Sequence, residues 1–167
     1  PGSVPGRERR PGCAKVGGTG LFAGRVVDGE YSDGNVSFMA QNIVNHRAFP
    51  WERADAIIAM NNASLLAKMA QAASCDAVLS DIVAAVPRVE DKGLHTNIYL
   101  EVAKNTACSR LLFNRLFSLE VEPNNTCRIR IALLDNHEHT MKQFREVLAY
   151  VQNNANTDCR ARYVSDV

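Results

Sequence analysis

ADAIIAMNNASLLAKMAQAASCDAVLSDIVAAVPRVEDKGLHTNIYLEVAKNTACSR, residues Ala54 to Arg110, decides the fold, because the rest of the chain reads as additions to it. ADAIIAM (Ala54 to Met60) is a short apolar run of the kind buried in a parallel sheet. Asn61 and Asn62 follow as turn or cap residues. From Asn62 to Ala73, the side chains Leu65, Leu66, Met69, Ala70 and Ala73 recur at helical spacing. DAVLS (Asp76 to Ser80) then gives a second strand, and TNIYLEV (Thr96 to Val102) a third beyond the charged loop Arg88 to Gly93. A helix from about Thr106 to Leu116 closes the unit. Alternating strands and helices predict an α/β domain with a small, largely parallel central sheet of about four strands.

Outward from this core, Leu21 to Val27 reads as a short strand and GEYSDG (Gly29 to Gly34) as a turn. A front helix starts near Asn35, carries Phe38, Met39, Ile43 and Val44 on one side, and stops before Pro50. Trp51 is read as a plug between that helix and the sheet. Downstream, SLEVE (Ser118 to Glu122) and CRIRIALL (Cys127 to Leu134) read as further strands around a Pro123-Asn124-Asn125 turn. A last helix runs from about His137 to Gln152, with Met141, Phe144, Val147, Leu148 and Val151 as its stripe and Asp135 and Asn136 as caps. No internal repeat or heptad pattern is read. The expected organisation is a disordered tag or linker over 1–20, one domain over 21–152 with its core at 54–122, and a tail over 153–167.

The formal charge of +1, with 22% charged residues, excludes a global field that would draw nucleic acid or membrane. Basic residues near the start (Arg7, Arg9, Arg10, Lys15) allow at most weak DNA contact. The five cysteines, Cys13, Cys75, Cys108, Cys127 and Cys159, are odd in number and nowhere form a Cys-x-x-Cys pair, so free thiols in a reducing compartment are expected. No run approaches the roughly 20 apolar residues of a membrane span.

Few constellations carry chemistry. Gly17-Gly18-Thr19-Gly20 has no convincing strand or helix beside it, and reads as linker rather than phosphate loop. His137-Glu138-His139 places its histidines two apart, so on a helix they diverge instead of sharing a metal. No metal or cofactor is expected. Asp135, at the end of a strand, suits an acid or base of a small α/β enzyme, with His137 or Asp81 as helpers, but it also suits a helix cap. The better site joins two helix starts: Asn61 and Asn62 with the amides there, and Thr106, Ser109 and Arg110. Neighbouring first and third strands would open both starts on one rim of the sheet, making a pocket for phosphate or carboxylate.

This order of elements resembles a BRCT domain, over roughly Ala54 to Glu122. ADAIIAM is similar to its first strand, HTNIYL (His95 to Leu100) to its third, and TACSRLLF (Thr106 to Phe113) to its second helix. In general look the chain also resembles the BRCT-like domains of kinetoplastid kinetochore proteins. The chain departs from the family where Ser74-Cys75 replaces its glycine pair, where the last helix carries Phe144 and not the usual Trp, and where Asn stands in place of the phosphate-binding hydroxyl residue. CRIRIALL would be an extra strand, and the residues before Ala54 an extension. The resemblance implies a non-enzymatic, phosphopeptide-binding module of a nuclear chromosome or DNA-repair scaffold. Asn61 or Asn62 would stand for the phosphate-binding hydroxyl residue and Arg110 for the lysine. The implied partner is a phosphoprotein or acidic peptide, with no membrane and no small-molecule substrate.

Overall fold

In one regular element after another, burial recurs at three- and four-residue spacing, the signature of helix rather than strand. The computed structural model describes residues 33–154, and among them there is no strand. The expected parallel sheet is overturned, and the BRCT-like α/β architecture with it. The predicted features at 1–20 and Leu21 to Val27, and the tail beyond Asn154, lie outside the described residues.

Each predicted strand within them fails for a readable reason. In ADAIIAM the buried residues are Ala54, Ile57 and Ile58, one helical turn apart, and the run is a short helix entered through a 3-10 turn at Trp51–Arg53. DAVLS is the first half of a helix that continues through Ala85, burying Val78, Leu79, Ile82 and Val83. TNIYLEV lies inside the helix His95–Lys104, which buries Thr96, Ile98, Tyr99, Leu100, Val102 and Ala103; the adjacent pairs Ile98-Tyr99 and Val102-Ala103, one turn apart, break the alternation of a strand. SLEVE is irregular and ends in a helix cap at Glu122. CRIRIALL lies inside a helix, where Ile129, Leu133 and Leu134 share the buried side; the alternation Arg128-Ile129-Arg130 is too short to mark a strand.

After Cys108 the chain divides into two compact units. In the first, α1 is Asp33–Asn45, α2 Ala54–Ile58, α3 Ala63–Ala72, α4 Asp76–Ala85 and α5 His95–Lys104. Alternate helices pack on one another: α1 on α3 and α3 on α5 form one layer, and α2 on α4 the second. Stacking of this kind lets a short helix with one apolar stripe bury it against both layers. Leu65, Leu66, Met69, Leu79, Ile82 and Ile98 are fully buried in this core, each contributing about 1.5–3 kcal/mol of transfer free energy. In α1 the buried stripe is Val36, Ala40, Ile43 and Val44; Phe38, predicted on that side, is 91% exposed. Trp51 is half-buried, its ring edge-on to Phe49 at 4.8 Å.

Two asparagines fix the direction of the stack. Asn62 caps α3: its Oδ1 accepts from the Leu65 amide at 3.0 Å, and its Nδ2 donates to Ser37 Oγ, in α1, at 3.0 Å. At the other end Asn105, the residue after α5, donates Nδ2 to the carbonyls of both Ala70 and Ala73, each at 2.8 Å. Its Oδ1 accepts from the Ala107 amide at 2.8 Å. The N-terminal turn of α1 therefore lies at the start of α3, and the end of α5 lies at the end of α3. All three helices run parallel.

The second unit holds α6 (Arg110–Phe117), α7 (Pro123–Asn136) and α8 (Met141–Asn154), with α7 packed against both neighbours. Their starts are encoded locally. Ser109 Oγ caps α6 through the Leu112 amide, and Glu122 caps α7 ahead of Pro123 in the first turn. Thr140 and Gln143 exchange side-chain and backbone hydrogen bonds in a capping box, so α8 begins four residues later than predicted and Asp135 and Asn136 belong to α7. Arg130 ties the helices together: its Nε donates to the Phe117 carbonyl at 2.9 Å, and its guanidinium lies over the Tyr150 ring, 4.6 Å from the centroid.

The Asn105 bridge yields a test. Asn105→Ala should lower the unfolding free energy by about 1–3 kcal/mol, because two helix-end carbonyls lose their donor. Asn105→Asp should do no better, since a carboxylate cannot donate. Urea titration of the two variants checks this, and a wild-type midpoint for the aspartate would contradict the bridging role.

Candidate functional site

The rim on which the predicted anion notch depends does not exist among the described residues, so its members are best taken singly. Asn61, Asn62 and Thr106 belong to the first unit, Ser109 and Arg110 to the second. Asn61 links α2 to α3 in the left-handed region, with φ of 56°, and its Oδ1 is buried without a hydrogen-bond partner. Asn62 and Ser109 serve as helix caps. Thr106 is exposed in the turn after α5. Arg110 donates to the Glu138 carbonyl at 2.6 Å and lies over the Phe113 ring, 4.4 Å from its centroid, which holds the loop before α8 against α6. Three of the five thus have structural work that accounts for their chemistry.

The residues of the enzymatic reading also change position. Asp135 sits exposed in the last turn of α7 rather than at a strand end, and Asp81 is exposed on α4. His137 follows α7 with its ring edge-on to Phe113 at 5.9 Å. Among the described residues no group of three His, Cys, Asp or Glu side chains is placed to hold a metal. Cys75 is disulfide-bonded, a correction to the expectation of free thiols, while Cys108 and Cys127 are buried thiols.

The parallel stack brings together residues that no motif singles out. Counted by helical spacing from the Ser37 to Asn62 hydrogen bond and the Asn105 bridge, the positions turned away from the buried stripes are Phe38, Asn42 and Asn45 on α1, Ser64, Lys68 and Gln71 on α3, and Asn97, Glu101 and Lys104 on α5. Phe38, Asn42, Asn45, Gln71, Asn97 and Lys104 are exposed, and Ser64, Lys68 and Glu101 half-buried. Between these positions the buried stripes match: Ala40, Ile43 and Val44 on α1, Leu65, Leu66, Met69 and Ala70 on α3, Ile98, Tyr99, Val102 and Ala103 on α5. LLAKMAQ (Leu65 to Gln71) and IYLEVAK (Ile98 to Lys104) therefore share one burial pattern, with Lys68 and Gln71 of the first matched by Glu101 and Lys104 of the second. That is the signal in the sequence that the absence of an evident repeat conceals. The α4 pattern of Val78, Leu79 and Ile82 likewise returns in α6 as Leu112, Phe113 and Leu116.

Chemically the face is a grid of carboxamides and a hydroxyl with two lysines, one glutamate and one phenylalanine. A carboxamide offers a donor and an acceptor together, which matches the N–H and C=O of a peptide group irrespective of side chain. No model of a known protein family matches the chain, and comparison with curated proteins and with solved structures gives no match either.

Two substitutions separate structural from binding roles here. Asn61→Gly should leave stability unchanged or raise it slightly, because glycine adopts positive φ without strain and no hydrogen bond is lost; Asn61→Val should cost more than about 1 kcal/mol. Thermal melts of the pair decide it. Arg110→Ala should lower stability by about 1 kcal/mol through the lost ring and carbonyl contacts. In a sulfate titration followed by NMR, that variant should shift the resonances of residues 61–62 no differently from wild type.

Proposed function

We propose that the chain is a non-enzymatic protein-interaction module that holds an extended polypeptide against the α1, α3 and α5 face of its first unit. The observation that supports this reading is the helix register set by the Ser37–Asn62 and Asn105–Ala70 hydrogen bonds, from which helical spacing puts the exposed Asn42, Asn45, Gln71 and Asn97 on the same side of the layer. Packed helices lie about 8–10 Å apart, and an extended chain advances about 3.3 Å per residue, so a peptide crossing the layer meets a new helix roughly every three residues. Carboxamides at that interval can hold the main chain at successive points, and Phe38 offers an apolar contact at one edge of the grid.

Lys68 and Lys104 supply two cationic points for an acidic side chain or a phosphate group on the same peptide, and Glu101 beside them disfavours a uniformly acidic one. An anionic element in the partner is thus retained from the sequence, but its receptor moves from Arg110 to the helix face. The enzymatic alternative loses its main support, because Asp135 was attractive only at the carboxyl end of a strand.

Selection of linear peptides from a random displayed library against the purified protein tests the reading. The enriched peptides should bind the combined Asn42→Ala, Gln71→Ala, Asn97→Ala variant at least tenfold more weakly, since each lost carboxamide contributes about 0.5–1.5 kcal/mol. The far-UV circular dichroism of that variant should match wild type, the three side chains being exposed. Equal affinity for the variant would overturn the assignment of the face.

A further inference from the structure

We draw no further inference here: the strongest candidate outside the proposed peptide face, the exposed apolar side chains Leu111 on α6 and Met141 on α8 with the basic residues Arg115, Lys142 and Arg145 on the same two helices, carries nothing because acidic residues such as Glu138 and Glu146 balance those charges and nothing in the structure shows what covers it.

Discussion

The carboxamide of Asn105 closes the end of one helix of the first unit from the end of another, donating to the carbonyls of Ala70 and Ala73. Helix α3 is only ten residues long, and an isolated helix of that length is marginal in water. It persists because its apolar stripe is covered and because both ends are closed. Asn62 satisfies an amide at the start, and Asn105 satisfies two carbonyls at the finish. Since the second cap comes from the residue after α5, the hydrogen bonds that end one helix also register its neighbour. The register of α5 on α3 follows from those bonds, that of α1 on α3 from the Asn62 to Ser37 hydrogen bond, and the proposed peptide face rests on both.

The second unit uses a different device for the same purpose. There the short helix α6 is fastened by cations over aromatic rings: Arg110 on Phe113, and Arg130 between Phe117 and Tyr150. Phe113 and Phe117 are stacked with ring centroids 5.8 Å apart, so the two arginines address one continuous aromatic strip. Arginine suits this position because its planar, weakly hydrated guanidinium stacks on a ring while its N–H groups still reach a backbone carbonyl. This explains why Arg110, which looks like an anion receptor in the sequence, is engaged in holding the loop before α8.

The sequence made the helices α1 and α3 legible, because their apolar residues recur over three turns, and it marked the last helix to within a turn. It misled wherever a window of five to eight apolar residues was taken alone. DAVLS looks like a buried strand until Ile82 and Val83 are counted with Val78 and Leu79; extending the window by one turn restores the helical period. Valine and isoleucine add to the confusion, since their strand preference is local while burial on two sides of a stacked helix permits them equally. Of the candidate site, Asn62 was legible as a turn or cap residue, whereas Ser109 was read inside a helix begun at about Thr106 and instead caps one that starts at Arg110. The binding face was not legible, because its residues are ordinary surface amides and lysines. They become a set only when α1, α3 and α5 are known to be parallel, and that depends on Asn62 and Asn105, whose partners in the neighbouring helices lie 25 to 35 residues away.

One NMR experiment tests the parallel helical stack most directly: nuclear Overhauser contacts of the Asn105 and Asn62 side-chain amides in the intact chain. The structure predicts cross-peaks from Asn105 to Ala70 and Ala73 and from Asn62 to Ser37, alongside sequential amide contacts running through 76–85 and 95–104. Extended-strand contacts over Asp76 to Ser80 or Thr96 to Val102, with the Asn105 cross-peaks missing, would contradict the stack and remove the basis for the peptide-binding face.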